Sequence, residues 1–229
     1  MRFLLVFALL LGGLVVAADR GAEAVAEDRV ARLVAERGGL AGEPAVEIGG
    51  FPFLSQAVAG RYDDVRISAT GADLGQPEGT RADVSLRGVQ VALSDVLSGS
   101  VQEVPVQGID GTVTLPYALL ADELGTGTTV TRDGDGLRVQ RTVEVAGVSL
   151  PLTARGTVSL DGDTLVVDVG EVSGAGVDVP SFLVEQVSDA LDVRYPIPEL
   201  PFGLQVTGVE SADDGAQVRV EAVDTVLRG

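Results

Sequence analysis

Two different spacings of apolar residues divide this chain. From Asp19 to Arg37, "DRGAEAVAEDRVARLVAER" places Ala22, Ala26, Val30, Leu33 and Arg37 three and four apart, with Val25 and Val34 beside them and charges elsewhere. That spacing predicts an amphipathic helix with a narrow stripe of small residues, ended by Gly38-Gly39. After residue 60 the period becomes two. Val65, Ile67 and Ala69 alternate with polar residues, then Ala82, Val84 and Leu86, then Val89, Val91 and Leu93. The same alternation returns through 137–145, 150–160, 165–169 and 218–222. It is the habit of antiparallel strands with one buried and one wet face. "RDGDGL" (132–137), "LDGDTL" (160–165) and "ADDGAQ" (212–217) read as tight hairpin turns. Turn signals are sparse, so the strands should be longer than the usual ~5–6 residues.

Short helical segments interrupt the strands: "PFLSQAVAG" (52–60), "LSDVLSG" (93–99), "LPYALLADELG" (115–125) and "PSFLVEQVSDAL" (180–191). Three of them carry Pro at or near the helix start, where its missing N–H costs nothing. The fold class expected is α+β, with long antiparallel strands, an N-terminal helix and several short helices.

Ahead of the amphipathic helix, "MRFLLVFALLLGGLVVAADRG" has one basic residue, Arg2, then an uncharged apolar run from Phe3 to Ala18. This is the layout of a secretory signal, with Val16-Ala17-Ala18 as a cleavage site before Asp19. The run is also just under the ~17–25 residues that span a bilayer, so a short retained anchor is the alternative. Either way, residues 1–18 form a leader and 19–229 a single domain outside the cytoplasmic membrane, in the periplasm or cell envelope.

Composition narrows the chemistry. The chain has 229 residues, a net charge of −18, no His and no Cys. The charge argues against nucleic acid as a partner. Without His or Cys there is no disulfide, thiolate, His-based triad or ordinary zinc site. The basic residues are all Arg, and Lys and Asn are absent, as a GC-rich genome would produce. Without Lys there is no Ser–Lys dyad or Schiff base. "RYDD" (61–64) and "SADD" (211–214) offer adjacent carboxylates, better read as solvated charge than as a hydrolase's acid–base pair. Asp133 and Asp135 look like the opening of a calcium loop. Leu137, Val139 and Arg141 stand where its oxygen ligands should be, Glu144 at position twelve notwithstanding, so a hairpin turn is the better reading. No catalytic residue, metal or cofactor is assigned.

The chain has only nine Phe and Tyr and no Trp, yet Phe51 and Phe53 flank Pro52 within "IGGFPFLSQAVAG" (48–60). Phe182 and Phe202 also lie close to prolines. Apolar residues on Pro-stiffened edges suit the rim of an apolar groove, although they could equally cap an aliphatic core.

"VEIGGFPFLSQAVAGRYDDVRI" (46–67) resembles the signature of the actinobacterial LmeA-like phospholipid-binding family, a Gly-Phe-Pro-Phe-Leu-x-Gln block followed by Gly and an alternating strand. Gly50, Phe51, Pro52, Phe53, Leu54, Gln56 and Gly60 carry the match. "GTVTLPYALLADEL" (111–124) and "LPFGLQVTGVESADDGAQVRVEAVDTVL" (200–227) are similar to the family's later segments. The resemblance implies a tubular lipid-binding-like fold, in which a long curled antiparallel sheet wraps the N-terminal helix and leaves an apolar channel for acyl chains. It implies a non-enzymatic phospholipid- or glycolipid-binding or transfer protein at the outer face of the cytoplasmic membrane. The ligand-binding residues expected, from these blocks and from the Pro-edged apolar positions together, are Phe51, Pro52, Phe53, Leu54, Gln56, Tyr117, Phe182, Leu183 and Phe202, with Arg61 and Arg66 as the local positive charges for a headgroup. A structural envelope protein with a self-filled groove is the alternative, and a carboxylate-dependent hydrolase the remotest.

Overall fold

A computed structural model of the chain describes residues 2–125, 127–145, 148–162, 164–174, 193–196, 200 and 203–228. The fold is α+β, as the two periodicities require. Helix α1 runs unbroken from Arg2 to Gly38, through the apolar run and the amphipathic stretch alike. It ends where the Gly pair dictates, with Gly39 at φ 63°. Among the described residues, no helix is long and apolar enough to cross a membrane.

The remaining elements follow in chain order: β1 (Ala45–Gly49), α2 (Phe53–Ala59), β2 (Arg61–Thr70), α3 (Gly71–Leu74), β3 (Arg81–Gln90), α4 (Leu93–Ser98), β4 (Glu103–Leu115) and α5 (Tyr117–Glu123). Then come β5 (Thr128–Asp133), β6 (Gly136–Val145), β7 (Val148–Asp161), β8 (Thr164–Gly174), β9 (Val193–Pro196), β10 (Gln205–Ser211) and β11 (Ala216–Arg228). The strands form two sheets, one in the order β1-β2-β3-β4-β11-β10 and one in the order β5-β6-β7-β8-β9. The expected length is there: β4 and β11 have 13 residues each and β7 has 14.

The hairpins fall where the turn signals put them. Asp133 pairs with Gly136, Asp161 with Thr164 and Ser211 with Ala216. The Asp133 carboxylate sits against Arg138 at 2.9 Å and Arg155 at 2.8 Å, and the Arg138 hydrogen bond holds its pKa below the usual carboxylate range. It therefore clamps the hairpin. One expectation needed adjustment. The strand expected to run on to Leu93 ends at Gln90, because Ala92 (ψ 134°) is the N-cap of α4 and Leu93 opens that helix. Leu86 and Val89, three apart, both point inward as the alternation requires, with Gly88 (φ 62°) between them shifting the phase. Helix α3 was not expected. Thr70 starts it, donating from N–H and Oγ1 to Asp73 at 2.8 and 2.6 Å. The expected helix at 180–191 lies outside the described residues.

The chain divides into two compact units. The first comprises Met1–Gln76, Asp83–Asp110 and Ala222–Gly229; the second comprises Pro77–Ala82 and Gly111–Glu221. In the first, α1 packs on β1, α2 and α4. Ala26 of α1, Val46 and Ile48 of β1, Phe53 of α2 and Val96 of α4 all lie in its core. In the second, Val130, Leu137 and Ala154 are buried where strand alternation turns them inward.

Candidate functional site

The motif at residues 50–60 builds α2 and fastens it to its surroundings. Gly50 has φ 97°, a conformation that calls for glycine, and a Cβ there would lie 2.5 Å from the Gln56 amide nitrogen and push that side chain aside. The Phe51–Pro52 peptide is cis. Pro52 takes the N-cap position with an extended backbone (φ −77°, ψ 139°) and has no side-chain acceptor to offer the first turn. Asp19 of α1 supplies it, accepting from Phe53 N–H at 3.0 Å and from Leu54 N–H at 2.8 Å. Asp19 is only 2% exposed. Its charge is matched to the amide donors and to the positive end of the short helix. Gly60, left-handed at φ 64°, closes α2.

Gln56 is a brace. Its Nε2 donates to the Gly49 carbonyl at 3.0 Å, and its Oε1 accepts from Asp63 N–H at 3.0 Å, tying the end of β1 to the start of β2. Phe53 is 0% exposed, with its ring 6.1 Å from that of Tyr62. Burial raises the pKa of the Tyr62 hydroxyl. A second anchor of α1 lies close by, where Glu27 accepts from Ile48 N–H at 2.8 Å.

Two motif side chains face outward. Phe51 is 62% exposed and Leu54 38%; Val58, one turn beyond Leu54, is 90% exposed. Leu54 and Val58 lie four apart on α2, about 100° round the helix from the buried pair Phe53 and Ala57, and Phe51 lies just before the helix, ahead of Pro52. The Arg20 guanidinium sits 5.8 Å from the Phe51 ring centroid and 2.7 Å from the Glu23 carboxylate. The sequence reading missed Asp19, Arg20 and Val58. Asp19 was legible only as the charge that stops the apolar run.

An open cleft of about 470 Å³ lies beside the C-terminal end of α2, lined by residues 57–60, 90–92, 95 and 101–103. Its polar side chains are Gln90, Asp95, Gln102 and Glu103, with no Arg among them. Such a lining can accept hydrogen bonds from hydroxyl or ammonium groups but offers a phosphate no positive side chain. Arg66 is held by Asp64 at 2.8 Å.

Tyr117 belongs to the second unit, where its hydroxyl donates to the Ala212 carbonyl at 2.6 Å and burial raises its pKa. It fastens α5 to the β10–β11 turn, whose Asp213 is paired with Arg132. Phe182, Leu183 and Phe202 lie outside the described residues. So do the side chains of 143–151 and 167–199, which hold much of the expected channel lining. Among the described residues, the structure thus brings Phe51, Pro52, Phe53, Leu54 and Gln56 together around Asp19 and leaves Tyr117 to a separate task.

Comparison with characterised proteins and with solved structures yields no match. A family match covers residues 17–221, beginning two residues before Asp19 and leaving most of the apolar run outside it. The chain belongs to the LmeA-like phospholipid-binding family.

Proposed function

We propose that the chain is an exported, non-enzymatic phospholipid- or glycolipid-binding or transfer protein of the cell envelope, working at the outer face of the cytoplasmic membrane. The observation that carries this reading is the family match over 17–221. The apolar run Phe3–Ala18 supports export, either as a cleaved signal or as a short anchor. In this reading, aliphatic strand faces hold the acyl chains, and Phe51 and Leu54 meet the lipid as it enters. A net charge of −18 opposes anionic headgroups at long range. Affinity therefore rests on acyl burial, at ~0.8 kcal/mol per methylene.

One observation favours a second reading. Phe53, expected at the rim of a groove, is buried against Tyr62. That is how a structural envelope protein would fill its own groove. A transfer assay separates the two. The full chain should move fluorescent phospholipid from donor to acceptor vesicles at a rate proportional to protein concentration. A rate equal to the protein-free control, together with no binding of labelled phospholipid, would leave only the structural reading.

A further inference from the structure

Three apolar side chains at α2, Phe51, Leu54 and Val58, stay exposed in the folded chain, and their surroundings indicate what covers them. Residues 51–60, "FPFLSQAVAG", carry no charge in a chain that is 22% charged. Leu54 and Val58, four apart on α2, and Phe51, just ahead of the helix, are exposed. An apolar arc that wraps part-way round a helix is expected to be covered across its whole width. The inner face is covered by the core; the outer one lies beside the exit of the apolar run. Asp19 touches the start of α2, and Val15 and Val16, four and three residues earlier, continue that face of α1 and are exposed. Beyond them, the apolar run reaches Phe3. At ~1.5 Å per residue, its 16 residues extend ~24 Å, short of a ~30 Å hydrocarbon core but ample for one leaflet. A lipid surface is the environment that suits the run and the α2 face together.

We infer that the Phe51–Leu54–Val58 face docks on the bilayer, inserting into the headgroup–acyl boundary beside the base of the apolar run. Arg20 stands at the edge of this face, over the Phe51 ring, with its side chain 61% exposed. There a guanidinium can meet lipid phosphate while its stem stays on the apolar side. The docked face would set the domain down with α2 against the membrane. This deepens the lipid-binding reading by naming the surface that meets the membrane.

The test uses the natural absence of Trp. Full-length chains carrying Val58→Trp or Leu54→Trp are reconstituted with phosphatidylcholine–phosphatidylglycerol vesicles, with and without brominated acyl chains. Val223→Trp, at a position 78% exposed on β11, serves as the reference. Insertion predicts blue-shifted emission at 54 and 58 and loss of about half or more of it to bromine, since interfacial helices sit ~5–10 Å into the boundary. The indole at 223 should stay water-like. Water-like, unquenched emission at 54 and 58 in vesicle-bound chain would overturn the proposal. So would a blue shift without vesicles that grows with protein concentration, which would assign the face to a second copy of the chain. Lipid co-purification is read separately. Bound lipid without quenching refutes only the docking, and quenching without bound lipid refutes only the ligand reading.

Discussion

Asp19 reaches across 34 residues of sequence to accept the backbone N–H of Phe53 at 3.0 Å, and it does so from a buried position. One carboxylate thereby fixes the start of α2, the side on which Phe53 enters the core, and the place where the apolar run leaves the domain. It is also the first residue after the expected cleavage site, so a processed chain would keep the cap at its new N-terminus.

Replacing Asp19 should therefore cost more than replacing an ordinary helix residue. Asp19→Ala leaves two first-turn donors without their acceptor and should destabilise the first unit by ~2 kcal/mol. Asp19→Asn keeps one acceptor oxygen and should cost about half as much. Urea unfolding followed by circular dichroism measures both.

The two faces of α2 should respond oppositely to truncation. Phe53→Ala removes a fully buried ring and should cost ~3–5 kcal/mol. Val58→Ala, on the outer face, should change stability by no more than ~0.5 kcal/mol. Equal losses at the two positions would mean that the outer face is covered within the folded chain.

Gln56 should prove structural. Gln56→Ala removes the donor to the Gly49 carbonyl and the acceptor for Asp63 N–H, at ~0.5–1.5 kcal/mol per bond. Hydrogen exchange should quicken at Asp63, whose amide loses its acceptor.

Asp73 gives a pH dependence of known sign. The hydrogen bond from the Thr70 hydroxyl, then that from its N–H, lowers the Asp73 pKa. A lowered folded-state pKa contributes stability above the unfolded value of ~3.9, and that contribution is lost as pH falls through the folded value. Asp73→Asn should therefore flatten the stability profile below about pH 4 and leave its shape at neutral pH unchanged. Thermal melts between pH 2 and 7 show the difference.

What could be read from the sequence follows from how local each cause is. Helices α2 and α5 announce themselves with a starting Pro, α2 and α4 with a closing Gly, and the β5–β6 and β10–β11 turns with Asp and Gly at fixed places. Strand β4 was not legible, because Pro105, Gly108 and Gly111 interrupt its alternation. Helix α3 left a signal, Thr70 followed three residues later by Asp73, but four residues were too few to weigh. At the site, sequence found the motif and could not orient it. Phe51 and Phe53 are equally apolar, and only the path through Pro52 decides that the second enters the core. The Asp19 cap had no local sign at all, since its partners come from a distant turn.

The most direct test of the central claim is lipid content. The full chain, purified from its native membranes and extracted with organic solvent, should yield phospholipid or glycolipid by mass spectrometry at a stoichiometry near ~1 per chain, as one buried acyl-bearing ligand implies. A chain that co-purifies with no lipid and fails to bind labelled phospholipid would contradict the account.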